Sequence, residues 1–152
     1  MIKEKALASP QGTAFNEVVS FNGHPMVRST HPTTIEVTTE EHLTESGDCI
    51  IGVAADKGCA QLDQRLKEGL RRNGARVSIR IIVGSLSYCV EARGDSRLEL
   101  THPRDMVIRK SDFMSGRTLA VNANAAAKDI PREIVRRLRD PGTVGRLQIE
   151  VT

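Results

Sequence analysis

The feature that most limits how this sequence can fold is an apparent internal repeat. The tripeptide Thr-His-Pro occurs at residues 30–32 and again at residues 101–103, a shift of 71 positions. At that shift apolar positions coincide, and after a three-residue loss in the second half a shift of 68 continues the match to the last strand. Two repeats are too few for a solenoid. The sequence therefore predicts two tandem pseudo-repeats, about residues 14–84 and 85–152, packed as one domain.

Hydrophobic periodicity predicts the same order of elements in each half: several strands, one helix and a final strand. Apolar residues four apart predict the helices, at Leu62, Leu66 and Leu70 and at Ile130, Ile134 and Leu138. Strands are predicted at residues 14–21, 26–30, 33–38, 49–55 and 76–84, and again at 86–92, 98–100, 106–109, 118–121 and 147–151. The predicted fold class is α+β, mostly β with two helices, after a flexible lead-in at residues 1–13.

Local signals add detail between these elements. Asn22-Gly23 predicts a hairpin turn, because both residues tolerate a positive φ. Residues 39–43 are predicted to form one helical turn, since acidic residues follow a capping threonine. Pro131 lies inside the second helical pattern, where proline breaks the hydrogen-bond ladder. Either the helix kinks there, or a short turn over residues 124–128 ends and a new helix begins with Asp129 as its cap.

The composition indicates a globular protein, with 39% hydrophobic and 27% charged residues. No apolar stretch approaches the roughly 18 residues of a membrane span, and the N-terminal residues do not resemble a signal peptide, so a cytoplasmic location is predicted. The cysteines, Cys49, Cys59 and Cys89, form no Cys-x-x-Cys pair. We expect free thiols, with no metal site, no disulfide and no cofactor.

The first candidate site is a histidine and threonine cluster comprising His24, His31, Thr33 and Thr34. Histidine can act as a ligand, a base or a proton carrier near neutral pH. His-Pro is also an ordinary turn dipeptide, and the recurrence of Thr-His-Pro in both halves favours a structural role. The sequence leaves both interpretations open.

The second candidate site is the turn Asp56, Lys57 and Gly58, between a predicted buried strand and the first helix. Glycine permits close approach of a ligand to the backbone, and Lys57 would complement an anion such as phosphate. The alternative is that Asp56 only caps the helix. No dinucleotide-binding or Walker pattern accompanies the turn.

The third candidate is a basic surface formed by Arg65 and Arg72 on the first helix and by Lys128, Arg132 and Arg136 around the second. The chain carries a mild net charge of +3 and a pI near 9.0, which permits nucleic-acid binding without requiring it. The alternative is a solvated helix face. The chain has one tyrosine, three phenylalanines and no tryptophan, so few aromatic side chains could stack with nucleic-acid bases.

Three stretches resemble a known family. The run Gly23 to Cys59 and the later segments 109–113 (Arg-Lys-Ser-Asp-Phe) and 117–121 (Arg-Thr-Leu-Ala-Val) are similar to an archaeal family of uncharacterised proteins, the domain of unknown function 371. The similarity extends over nearly the whole chain after the first dozen residues. It implies an archaeal cytosolic origin, and it implies no activity.

The residues favour a non-enzymatic binding protein whose basic surface meets nucleic acid or an acidic partner. The alternative is an enzyme or a binder of a small anionic ligand that uses the histidine cluster and the Asp-Lys-Gly turn. The sequence contains no Gly-x-Ser-x-Gly pattern and no cysteine–histidine pairing, so no nucleophile signature supports the enzyme alternative. The sequence leaves both alternatives open. Oligomerisation through an exposed strand edge at residues 76–83 is a further hypothesis.

Overall fold

The computed structural model describes residues 15–43 and 47–152, so the predicted lead-in at 1–13 lies outside the described residues. Within these ranges the chain forms eight strands and two α-helices, and the predicted α+β class is confirmed. The strands are β1 (Phe15–Asn22), β2 (Thr34–Thr38), β3 (Ile50–Gly52), β4 (Arg76–Val83), β5 (Leu86–Arg93), β6 (Asp105–Arg109), β7 (Thr118–Ala120) and β8 (Val144–Val151). The helices are α1 (Gln64–Leu70) and α2 (Arg132–Leu138). Neither of them has the length and hydropathy of a membrane span.

The strands form two four-stranded sheets. Sheet A has the order β1-β8-β4-β5 and is antiparallel throughout. Sheet B has the order β3-β2-β6-β7, with an antiparallel centre and two short parallel outer strands. Each sheet contains strands from both halves of the chain: the halves alternate in sheet A, and in sheet B they meet at the centre, between β2 and β6. The duplication itself stays a prediction.

One apolar cluster joins the inner faces of both sheets to the helices. Strand β4 alternates strictly, with Val77, Ile79, Ile81 and Val83 buried, as the period of two predicts. The opposite face of sheet A is therefore left to the residues between them. That outer face is polar, and it carries the site described below.

The two helices begin differently. The Asp63 side chain accepts a hydrogen bond from the N–H of Arg65 and caps α1. Before α2, a 3₁₀ turn at Ala127–Asp129 precedes Pro131, which occupies the cap position. The break predicted near the proline is therefore present, but Asp129 is not the cap: its carboxylate accepts from the N–H of Ala126. Proline fits here because its missing N–H would have no partner within the helix.

The hairpin predicted at Asn22-Gly23 is wrong, because residues 26–30 are not a strand, and the strand predicted at residues 98–100 is likewise wrong. A Cβ on Gly23 would lie 2.4 Å from the carbonyl oxygen of Leu138, and one on Gly94 would lie 2.3 Å from that of Leu70. The glycines thus permit close packing against a helix end, which local sequence does not reveal. Val27 and Leu98 are nevertheless buried, as their apolar character predicts.

Two further predictions need correction. Residues 39–43 form no helical turn, because the N–H of Thr39 donates to the carbonyl of Arg104 and holds the chain against the other half. The predicted strand at residues 49–55 is shortened to β3, because Val53 leaves sheet B to bridge to Asn22 of β1 and Ala54 takes a positive φ of 52°.

The predicted exposed edge at residues 76–83 is wrong. This segment is β4, which is paired on both sides within sheet A. The edges are β1 and β5, and each is partly covered by a bridge, Asn22 with Val53 and Arg93 with Val121. A strand whose polar groups are already paired has none left for a second chain.

Candidate functional site

A groove of about 520 Å³ lies on the outer face of sheet A. It is lined by polar and charged side chains from three strands and one loop, among them Arg76, Ser78, Glu91, Arg93, Asn122 and Glu150. We call it the sheet A groove. A smaller depression of about 110 Å³ continues it toward Arg80 and shares Ser78 and Glu150. The alternation that buries Val77 and Ile79 turns the β4 residues between them toward this face.

The groove residues form transverse rows, because the strands are paired in register. Arg76 of β4 stands opposite Arg93 of β5 and makes a cationic row. In the next row, Ser78 stands between Glu91 of β5 and Glu150 of β8 and makes an acidic row. The side chain between the two carboxylates is small, which accounts for the depression there. The groove therefore presents positive and negative charge side by side.

The cationic row lies beside the acidic row and beside Thr152, but it forms no salt bridge with the described residues. Like charges directly opposite each other on paired strands are destabilising. Among the residues that the structure describes, no carboxylate oxygen lies within 4.0 Å of a guanidinium nitrogen of Arg76 or Arg93. Both side chains are exposed. Two guanidinium groups in this arrangement suit a phosphate or carboxylate group.

The carboxylates of the acidic row have few hydrogen-bond donors near them. The hydroxyl of Ser78 lies 2.9 and 3.0 Å from the two carboxylate oxygens of Glu91, and it has a single proton to donate. The thiol of Cys89 lies 3.4 Å from the same carboxylate. Burial and this hydrogen bond raise the pKa of Cys89, so a thiol rather than a thiolate faces Glu91. Most of the acceptor capacity of the carboxylates stays open to the groove.

One wall of the groove is fixed in place by the loop after β7. Val121 bridges to Arg93, and Asn122 follows with a φ of 53°, which asparagine tolerates better than most residues. Asn124 closes the edge of β5, since its side-chain oxygen accepts from the N–H of Glu91 at 3.0 Å and its own N–H donates to the Glu91 carbonyl at 2.9 Å. This wall of the groove is therefore held in place by backbone pairing.

The other end of sheet A shows that the backbone does not require these charges. There Val53 bridges to Asn22 of β1, as Val121 bridges to Arg93, and Ala54 has the positive φ. The residue opposite Asn22 is Val144 of β8, so neither member of that pair is charged. The same local geometry thus exists without an arginine pair, and the cationic row is an addition to the fold.

The predicted histidine cluster serves the turns. Nδ1 of His31 accepts from the N–H groups of Thr33 at 3.1 Å and Thr34 at 3.2 Å, and Nδ1 of His24 accepts from Met26 at 3.0 Å. His102 repeats this pattern with the two residues after Pro103. Among the described residues, no group of three or more His, Cys, Asp or Glu side chains is arranged to hold a metal ion.

The Asp56, Lys57 and Gly58 turn is tied to its neighbours. The carboxylate of Asp56 accepts from the N–H of Ser20 at 3.1 Å, which is the role that Asn124 has at β5. Asp56 is not the helix cap, since Asp63 has that position. Lys57 forms a salt bridge of 2.7 Å with Glu17. A Cβ on Gly58 would lie 2.6 Å from the backbone of Pro103, so this glycine permits packing of the two halves.

The predicted basic surface divides into two groups. Arg132 donates to backbone carbonyls of both its own turn and the segment Arg28–Ser29, and Arg65 is paired with Asp63 and stacked over Phe15 at 4.7 Å. The side chains of Arg132 and Arg65 are therefore engaged in contacts within the protein. All five side chains are exposed, and Arg72, Lys128 and Arg136 are the members whose side chains form no hydrogen bond or salt bridge with the described residues.

A second polar cluster, on the outer face of sheet B, is satisfied internally. Glu36 is buried, accepts from the thiol of Cys49 at 3.4 Å and lies 3.8 Å from Arg117, which also pairs with Asp105 at 3.0 Å. Burial, and then the charge of Asp105, raise the pKa of Glu36. Burial also raises the pKa of Cys49 and of Cys59 to about 12. Both are thiols at neutral pH and poor nucleophiles.

The sheet A groove was not predicted from the sequence. Its residues lie far apart along the chain, and only the register of β4 with β5 and β8 brings them together. One signal was present: polar residues alternate with apolar ones through β4, at Arg76, Ser78 and Arg80. That pattern marks a solvated face, but it does not identify the residues opposite.

The comparisons with known proteins agree with the resemblance noted in the sequence. A family model described as a domain of unknown function, DUF371, matches residues 19–152. A relative from the archaeon Methanocaldococcus jannaschii, named uncharacterized protein MJ0206, is 44% identical over 123 residues, which cover 81% of this chain and 90% of the relative. Neither name specifies an activity, a ligand or a partner. The extent of both matches shows that the chain belongs to the DUF371 family.

Proposed function

We propose that this is a binding protein and that the sheet A groove holds a small ligand with an anionic group. The observation that carries the proposal is the pair Arg76 and Arg93, directly opposite each other and without a carboxylate within 4.0 Å in the described ranges. Asn122 adds an amide beside them. Anionic groups are the ligands that paired guanidinium groups bind most strongly. The ligand class matches the small-anion alternative of the sequence, at a different place.

The groups in the groove favour binding over catalysis. They are guanidinium groups, carboxylates, amides and hydroxyls. The hydroxyl of Ser78 is directed to a carboxylate and has no histidine partner, whereas an activated serine needs a base oriented toward it. The cysteine beside the groove, Cys89, has a raised pKa. These features support a non-enzymatic role.

The test is a titration with inorganic phosphate, followed by amide shifts in NMR spectra. We expect the wild-type shifts to cluster at Arg76, Arg93 and Asn122. The double variant Arg76→Gln, Arg93→Gln should lose about tenfold or more in affinity, because charged hydrogen bonds are removed. Its melting temperature should not fall, since a like-charge pair is relieved.

The matched control is the double variant Arg72→Gln, Arg136→Gln. It removes the same charge from exposed arginines outside the groove. We expect its phosphate affinity to stay within about twofold of wild type, because long-range charge is screened by salt. Absence of binding to wild type, or equal loss in both variants, would overturn the proposal.

Nucleic acid or an acidic partner is the second candidate. It is supported by the exposed side chains of Arg72, Lys128 and Arg136 and by the net charge of +3. The test is the binding of a single-stranded RNA by fluorescence anisotropy at low and high salt. Phosphate contacts predict an affinity that falls about linearly with salt on logarithmic axes. A variant that lacks the three charges should lose most of this slope, and a salt-independent affinity would contradict the candidate.

A cytoplasmic site of action is also part of the proposal. It is supported by the three cysteines, which are free. Free thiols suit a reducing compartment.

A further inference from the structure

We infer that the ligand of the sheet A groove is zwitterionic, with its anionic group on the cationic row and an amine on the acidic row. This inference rests on the proposed function and adds the second half of the ligand. It is carried by the position of Glu91 and Glu150, which flank Ser78 in the row next to Arg76 and Arg93. A simple anion would meet those carboxylates with repulsion.

The two rows do not neutralise each other. Arg93 and Glu91 are two residues apart on the same face of β5, and Arg76 is two residues from Ser78 on β4. Even so, no salt bridge within 4.0 Å joins the arginines to Glu91 or Glu150 among the residues that the structure describes. Both rows therefore face the groove without a salt bridge between them, and Arg80 lies in the row beyond the acidic one.

The acidic row has room and capacity for a donor. The hydroxyl of Ser78 supplies one proton to Glu91, and each carboxylate has about four acceptor positions. An ammonium group supplies three donors and one positive charge. Placed over Ser78, it would lie between two carboxylates that stand on either side of this residue. The small side chain leaves that position unfilled, and the two depressions meet there.

The spacing of the rows limits the size of the ligand. Residues two apart on an antiparallel strand are separated by about 7 Å along the strand. Because the side chains of arginine and glutamate are long, the distance between their charged groups can be shorter or longer than this. A molecule whose amine and anion are joined by a few bonds spans it. Polymers and large planar molecules are not needed to account for the rows.

The experiment compares three probes on the purified protein by NMR titration: inorganic phosphate, ethylamine and phosphoethanolamine. We expect phosphoethanolamine to bind about tenfold more tightly than phosphate, because its amine adds charged hydrogen bonds. Ethylamine alone should also bind at least about tenfold more weakly than phosphoethanolamine, because it lacks the anionic group. Shifts should include both the cationic row and Ser78.

The deciding variant is Glu91→Gln, Glu150→Gln, which keeps acceptors and removes both negative charges. It should bind phosphate at least as well as wild type and should lose the advantage of phosphoethanolamine. A melting temperature near that of wild type will show that the variant is folded. The variant Arg76→Gln, Arg93→Gln should lose both probes.

The possible failures can be told apart. Equal affinity of wild type for phosphate and phosphoethanolamine overturns the zwitterion and leaves the proposed anion site standing. An advantage that survives in Glu91→Gln, Glu150→Gln also overturns it, because the amine would then be bound elsewhere. Tight binding of ethylamine alone would make the groove a cation site. Absence of any binding would overturn the proposed function as well.

Discussion

At the scale of single residues, Glu36 is the group whose ionisation opposes the fold. Its carboxyl is buried in sheet B, and burial together with Asp105 raises its pKa above the ordinary value of 4.5. A raised pKa means that the folded state holds the proton over a range in which the unfolded state has lost it. Stability from this group is therefore complete below pH 4.5 and is lost as the pH rises through the folded pKa.

The corresponding prediction uses Glu36→Gln, which cannot ionise and keeps an acceptor for Cys49. We expect the stability of the variant relative to wild type to rise as the pH increases from about 4 and then to level off. Urea unfolding at a series of pH values measures the difference. The carboxyl of Asp95, whose pKa is held at about 2 by Arg97, titrates below this window and is common to both proteins. A difference that is independent of pH would contradict the assignment.

His31 illustrates what sequence can and cannot predict for a residue. The recurrence of Thr-His-Pro favoured a structural role, and the structure places Nδ1 of His31 on the N–H groups of Thr33 and Thr34. Nothing in the sequence explains the choice of histidine, because the acceptor role depends on the conformation of the turn. Ligand binding by the His31 side chain stays a prediction.

The turn role predicts a specific pair of variants. His31→Ala should lower the free energy of unfolding by about 1 kcal/mol, because two backbone N–H groups lose their acceptor. His31→Asn should retain most of the stability, since its side-chain oxygen accepts from backbone N–H groups in turns of the same kind. Chemical denaturation of both variants checks this. Equal loss in the two would show that the ring is needed for its packing.

At the scale of elements, the regular strands were predictable and the connections were not. The alternation in β4 and β8 and the helical spacing of Leu66 and Leu70 depend on local periodicity, and these elements are present. The segments 26–30 and 98–100, wrongly predicted as strands, contain β-branched or apolar residues because Val27 and Leu98 enter the core. Apolar character predicts burial in both cases, and only a partner strand makes an extended segment part of a sheet.

Gly94 tests the close packing of the segment after β5 against the end of α1. Gly94→Ala should destabilise the protein by about 1–3 kcal/mol, because its Cβ would lie 2.3 Å from the carbonyl oxygen of Leu70 and the backbone must move. Thermal or chemical unfolding gives the value. Gly142→Ala is the control, since its nearest contact is 3.4 Å and its φ is not positive. We expect that change to be within about 1 kcal/mol of wild type in either direction. Similar losses in the two variants would contradict the close-packing argument.

At the scale of the whole molecule, the pairing of the two halves was the part that sequence did not contain. Repetition predicts two similar units, but it does not say whether each unit completes its own sheet. In the structure β8 lies between β1 and β4, and β2 pairs with β6. The sheet A groove is a product of this exchange, since Glu150 comes from β8 and the arginines come from β4 and β5. No reading of either half alone would have placed them together.

The exchange predicts that neither half folds alone as a monomer. In the fragment 85–152, β8 would lack both neighbours and β6 would lack β2, so buried N–H and C=O groups would have no partners. We expect each fragment, 1–84 and 85–152, to be unfolded at low concentration by circular dichroism and NMR. An equimolar mixture should recover the dispersed spectrum of the intact chain. A dispersed spectrum from either monomeric fragment would contradict the prediction. A folded homodimer of one fragment would support the duplication directly. In such a dimer the second copy would take the place of the missing half in both sheets, which requires the two halves to have the same fold.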